Sequence, residues 1–117
     1  MIGNRIAIVT GAGHGLGAEI KIELEEDGFE VISWSLETGV DVSSEESVRA
    51  AAKAIEEPIE VLVNCAGVNY INWHEETPIE EWDRLMNTNA RSMWLTAKEL
   101  INVGAFADPA TILNIVS

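Results

Sequence analysis

The stretch Ile6-Ala7-Ile8-Val9-Thr10-Gly11-Ala12-Gly13-His14-Gly15-Leu16-Gly17, or IAIVTGAGHGLG, decides the fold. Its four leading apolar residues lack the polar alternation of a half-exposed strand. They predict a first strand over residues 5–10, buried on both faces as in a parallel sheet. Glycines at alternate positions follow, and then a helical pattern from Gly15 to Asp27. Without a Cβ, the backbone at Gly11, Gly13, Gly15 and Gly17 can turn sharply and come close to a ligand. The helix opening near Gly15 aims free N–H groups and the positive end of its dipole at the same place. Strand, glycine loop and helix together predict a diphosphate cradle. A ligand-free glycine-rich turn is the plainer reading of the same residues.

The spacing is not G-x-G-x-x-G, because counting from Gly11 puts Leu16 at the last position. The pattern present is T-G-x-x-x-G-x-G, on Thr10, Gly11, Gly15 and Gly17. Outward from it, Leu16, Ile20 and Leu24 recur at i+4 and predict the buried stripe of the first helix. Gly28 ends that helix, and Phe29 to Trp34 form the second strand. Ser35 to Val42 lead almost directly into a short third strand, with too few residues for an intervening helix. Ser43 and Glu46 make a capping box for the next helix. Val48, Ala51, Ala52 and Ile55 line one of its faces, and Pro58 ends it.

Residues 59–64 are the fourth strand, followed by a loop from Gly67 to Glu76. Thr77-Pro78-Ile79-Glu80 reads as a second capping box, with Pro at the first helical position. The long helix that follows carries Trp82, Leu85, Met86, Met93, Leu100 and Ile101 at helical spacing, with Trp82 expected in the core. Asp108-Pro109 marks a turn before a last strand over residues 111–116. Strands alternating with helices predict one α/β domain over residues 1–117, built on a parallel sheet. Right-handed crossovers give the spatial order 3-2-1-4-5.

Composition narrows the function. The chain has 117 residues, 47% of them apolar, enough for a core. Twenty acidic against seven basic residues give a net charge of −13, which argues against nucleic-acid binding and against anionic membranes. The acids gather in short groups such as Glu23–Asp27 and Glu80-Glu81, which read as solvated helix faces and ends. No window approaches the ~20 consecutive apolar residues of a membrane span. The first residues lack a signal-peptide layout. Cys65 is the only cysteine and reads as a small buried hydrophobe, so a cytoplasmic setting is expected. His14 and His74 lie in different segments, and no metal site is expected.

Five signatures, in order, resemble the short-chain dehydrogenase/reductase family. They are the T-G-x-x-x-G-x-G pattern, Asp41-Val42, Asn64-Cys65-Ala66-Gly67 after Ile59-Glu60-Val61-Leu62-Val63, the segment WDRLMNTNARS from Trp82 to Ser92, and ILNIVS from Ile112 to Ser117. The resemblance implies a Rossmann-type three-layer fold and an NAD or NADP cofactor. By it, Gly11, Gly13, His14, Gly15, Leu16 and Gly17 would surround the pyrophosphate. Ser35, Asp41 and Val42 would border the adenosine, and Asn64, Ala66 and Gly67 would pass near its ribose. Asn89 and Ser117 match two members of the family's catalytic tetrad.

Cofactor preference is weakly marked. Ser35 and Leu36 supply neither the acid that favours NAD nor the Arg that favours NADP. Glu37 comes two residues late, and His14 stands where NADP-using relatives often carry Arg or Lys. The missing cation and the acidic surroundings lean toward NAD. The family's Tyr-x-x-x-Lys lies beyond the matching Ser, whereas the only tyrosine here is Tyr70, followed by Ile71, Asn72, Trp73 and His74. The chain therefore reads as the N-terminal half of an oxidoreductase acting on a carbonyl or alcohol, cut short before the C-terminal strands and inactive alone. Whether the cut is natural, engineered or proteolytic is open, and so is the substrate. Two alternatives stand beside this reading: a dinucleotide-binding module without chemistry, and a structural fragment. Trp73 and His74 lie in the loop that would border the substrate. Homo-oligomerisation is expected through the last strand's edge and the apolar side of the long helix.

Overall fold

The computed structural model describes residues 5–116. Strand β1 (Arg5–Thr10) is followed by helix α1 (Gly15–Glu26), β2 (Phe29–Trp34), α2 (Glu45–Lys53), β3 (Ile59–Asn64), α3 (Ile79–Met86), α4 (Ser92–Asn102) and β4 (Phe106–Asn114). The four strands form one parallel sheet in the order β2-β1-β3-β4. Alternate residues of the apolar strands feed two separate cores. Ile6, Ile8, Ile59 and Leu62 pack with Val48 and Ala52 of α2 and with Leu95 and Leu100 of α4. Val9 and Val63 face the other way and pack against Ile20 and Leu24 of α1. Helices on both faces give the three-layer, Rossmann-type architecture, and explain why these strands carry no polar alternation.

Several elements differ from the sequence reading. No third strand forms between Ser35 and Val42. A 3-10 turn, Leu36–Thr38, occupies the segment, closed by left-handed Gly39. The four strands that do form keep the expected neighbours. Helix α2 is capped by Ser44, whose hydroxyl accepts the Ser47 N–H. The Ser43 N–H instead goes to Asp41 Oδ1 at 2.9 Å. That helix ends at Lys53, ahead of Pro58. No side chain caps α3, so the second capping box does not form.

The long helix is broken by a π-helical turn, Asn87–Arg91. Two side chains account for the break. The Ser92 hydroxyl donates to the Thr88 carbonyl at 2.5 Å, diverting a main-chain acceptor, and Asn89 is drawn toward the loop after β3. Trp82, expected in the core, is 55% exposed, and Ile79 and Met86 of the same helix are exposed with it, so this apolar face of α3 is left uncovered among the described residues. Leu16 is 56% exposed and does not join the Ile20–Leu24 stripe, since it projects from the first helical turn toward the cleft below β3. Asp108-Pro109 lies within β4, where β4 passes from Phe106 to Thr111 while β3 passes only from Ile59 to Val61.

Candidate cofactor-binding site

The cradle forms where β1 ends. Gly11 adopts φ +65°, and its N–H donates to the Trp34 carbonyl at 2.9 Å. A Cβ at Gly11 would lie 2.8 Å from Ala66 Cα, and one at Gly17 would lie 2.1 Å from the Gly11 carbonyl oxygen. Both positions exclude every side chain, so the loop lies flat against the start of α1. The N-cap His14 makes no side-chain cap, and the first turn of α1 holds no acid. Its leading N–H groups therefore remain open to an anion, with the helix dipole behind them.

Thr10 ties this loop to the next. Its Oγ1 accepts the N–H groups of Cys65 (2.9 Å) and Ala66 (3.0 Å), holding the ends of β1 and β3 together. Asn64 turns inward: Nδ2 donates to Asn114 Oδ1 at 2.9 Å, and Oδ1 accepts the Thr96 hydroxyl at 2.7 Å. Asn89 grips the loop from the far side. Its Oδ1 accepts the Val68 N–H at 2.7 Å, and its Nδ2 donates to the Val68 carbonyl at 2.8 Å. Among the described residues, no buried side-chain polar atom lacks a partner.

These anchors leave two clefts, one on each side of the Ala66–Val68 loop. The first, about 370 Å³, brings together Gly11, Gly13, His14, Ser35, Asp41, Val42, Ala66 and Gly67. The second, about 580 Å³, is bordered by Leu16, Ala66, Gly67 and Asn89. Gly15 and Gly17 stand at the start of α1, near the divide between the clefts. Asn64 lines neither cleft, its side chain being held in the core. Ser117 lies outside the described residues.

Glu37, Arg84 and Thr88 also line the first cleft. Arg84 and Thr88 lie inside the Trp82–Ser92 signature but carry no signal there as cleft residues, whereas Thr10 stands inside the glycine motif itself. The Glu37 carboxyl is held below the usual carboxylate range by its own backbone N–H, then by the Ser35 hydroxyl and by His14. Burial pushes the Cys65 thiol up, which makes it a poor nucleophile at neutral pH. No cluster of His, Cys, Asp or Glu able to hold a metal occurs among the described residues.

A sheet order of β2-β1-β3-β4 with a glycine cradle at the end of β1 now stands beside a matching sequence model. The model, described as Enoyl-(Acyl carrier protein) reductase, matches residues 30–117. The chain belongs to the short-chain dehydrogenase/reductase family. The acetoacetyl-CoA reductase of Shinella zoogloeoides is 35% identical over 111 aligned residues, covering 78% of this chain and 46% of that protein. An uncharacterized oxidoreductase of Thermotoga maritima is 30% identical over 144 aligned residues, covering 100% of this chain and 55% of that protein. The chain spans about half the length of the curated relatives it matches.

Solved structures agree. Ligand-free aldohexose dehydrogenase of Thermoplasma acidophilum superposes with a TM-score of 0.86 at 28% identity, over 97% of this chain and 49% of that one. A short-chain dehydrogenase/reductase of Serratia marcescens gives 0.82 at 23% identity, over 97% and 57%, a likeness of fold alone.

Proposed function

We propose that this chain is the cofactor-binding half of an NAD(P)-dependent short-chain oxidoreductase acting on a carbonyl or alcohol. The observation that carries the reading is the uncapped start of α1, framed by glycines at positions where any Cβ would collide. Gly11, Gly15 and Gly17 receive the pyrophosphate, with N–H groups of α1 as donors. The first cleft takes the adenosine, between Ser35, Asp41 and Val42 on one wall and Ala66 and Gly67 on the other. The second takes the nicotinamide, beside Leu16 and Asn89. When bound, the nicotinamide would give or take the hydride exchanged with a carbonyl or alcohol carbon.

Asn89 is a positioning residue in this reading, because both ends of its amide are committed to Val68. Ser117 orients the substrate oxygen. These 117 residues lack a Tyr-x-x-x-Lys pair, so they bind without turnover. Self-association belongs to the same proposal, supported by exposed Ile79, Trp82, Met86, Trp94 and Ile101 on the long helical segment. So does a cytoplasmic setting. No helix among the described residues is long and apolar enough to cross a membrane.

Titration with NADH and NADPH, followed by quenching of the four tryptophans, tests the reading. Saturable binding of at least one dinucleotide, with no steady oxidation of either, is the expected result. Absence of binding to both would overturn the cofactor reading, and enzyme-like oxidation by the pure chain would overturn the assignment of chemistry to residues outside it.

A further inference from the structure

Strand β2 lies at an edge of the sheet. It pairs with β1 alone, and the segment after it folds away as a 3-10 turn. The Trp34 carbonyl accepts the Gly11 N–H, so the peptide groups of Trp34, Ile32 and Glu30 face β1. Those of Phe29, Val31 and Ser33 alternate outward. The Thr38 hydroxyl closes off the Ser33 carbonyl at 2.8 Å. The N–H groups of Val31 and Ser33 and the carbonyls of Phe29 and Val31 point to the side where no strand pairs. Edges are ordinarily blunted by Pro, Lys or a bulge. The sequence of β2, FEVISW, holds neither Pro nor Lys, and its register with β1 runs unbroken from Phe29 to Trp34.

A groove of about 390 Å³ accompanies this edge, between β2 and the C-terminal end of α2. Its floor is apolar, from Ile6, Ile32, Val40 and Ile55. An added strand would rest alternate side chains on that floor, as β2 does with Ile32. The charged residues that line the groove are all acidic: Glu30, Glu56 and Glu57. They gather at one end. Glu30 is near the start of β2, and Glu56 and Glu57 lie between α2 and the start of β3, which is the same end of the parallel sheet. Arg5, at this end of β1, is turned to Glu60 at 3.4 Å and stacked on Phe29.

We propose that the β2 edge is a docking site for an extended segment of another protein, apolar at alternate positions and basic at one end, which joins the sheet as a further strand. Hydrogen bonds to the outward groups of Val31 and Ser33 hold the segment extended. The groove takes its apolar side chains, and Glu30, Glu56 and Glu57 meet its basic end. A second copy of this chain fits less well. FEVISW carries no basic residue to answer those acids, and each copy brings a net charge of −13.

The probe is a dye-labelled peptide, acetyl-Lys-Lys-Val-Ser-Val-Ser-Val-Lys-Lys, whose basic ends serve either strand direction. It is titrated with the chain and read by fluorescence anisotropy. Two control peptides replace every Val by Ser or every Lys by Glu. Saturable binding of the probe is expected, with each control weaker by about tenfold or more. Glu56→Lys/Glu57→Lys changes two exposed side chains and should weaken the probe about tenfold while leaving dinucleotide affinity unchanged. Ser33→Pro removes one outward donor and spares the ladder to β1, so it should weaken the probe about fivefold or more. Circular dichroism checks that this variant folds, and the double variant decides if it does not. Absence of saturable binding, equal affinity for the Val and Ser peptides, or unchanged affinity in Glu56→Lys/Glu57→Lys would each overturn the proposal. Self-association that is lost in Ser33→Pro, in a chain that ignores the probe, would overturn it in favour of a second copy.

Discussion

The centre of the sheet and its β4 edge are completed in different ways. At the junction of β1 and β3, one hydroxyl accepts two main-chain N–H groups, two glycines touch backbone, and Asn64 is satisfied on both sides. At the β4 flank, Ile112 and Leu113 are 43% and 49% exposed, and the segment from α3 to α4 shows Trp82 and Ile101 to solvent. The first region is specified by main-chain geometry and short polar contacts that the chain supplies to itself. The second presents apolar surface whose cover does not come from the described residues. Local backbone constraints can therefore finish a ligand cradle at the centre of a sheet whose β4 edge is left open.

Breaking the first region should have the largest effects. Gly17→Val places a branched side chain where even a Cβ would be 2.1 Å from a carbonyl oxygen. Dinucleotide affinity should fall by about 100-fold or more, because a displacement of about 1 Å at a positioning element is worth that much. Circular dichroism should show whether the helix itself survives. Thr10→Val is nearly isosteric and leaves the N–H groups of Cys65 and Ala66 without their acceptor. Denaturant unfolding should report a loss of about 1–3 kcal/mol.

The second region should respond in association, not in stability. Trp82→Glu puts a charge on an exposed apolar face, so size-exclusion elution should move toward the monomer. Its effect on folding stability should stay within about 0.5 kcal/mol. A parent chain already eluting as a monomer would remove the contrast. The smallest effect is expected at Cys65, beside the cradle. With its thiol pushed up by burial, the thiolate is scarce at neutral pH and grows as pH rises past the ordinary thiol value of about 8.5. Alkylation at pH 7 should be slower than for a free cysteine and should accelerate steeply only in more alkaline buffer. A rate at pH 7 matching that of a free thiol would show that the junction is looser than its hydrogen bonds imply.

Much of the cradle region was legible in the sequence because its determinants are local. A run of Ile and Val with no alternation implies two covered faces, and β1, β2 and β3 formed over the residues expected of them. The glycine spacing identified the loop, and Asp41, Val42, Ala66 and Gly67 do meet it across one cleft. Distances and partners were not legible. Glu37 reaches Gly13 only because the segment after β2 closes as a 3-10 turn where a short strand was expected. Trp82 fits a helical apolar stripe, but periodicity shows which residues share a face and not what covers that face. The π-helical turn also escaped prediction, since it depends on Ser92 and Asn89 finding partners off the regular ladder.

That turn acts as a phase shifter between two helices. An α-helix advances about 100° per residue, so a turn with one residue more than the regular ladder needs offsets everything before it around the axis. The direction in which Ile79, Trp82 and Met86 point is therefore set by the number of residues between Met86 and Ser92 as much as by their identity. Removing a single residue there would rewind the segment, swing those three side chains to a new bearing relative to α4, and pull Asn89 off Val68 in the same motion. Chain length, at this one place, couples the loop beside the cradle to the apolar surface of α3.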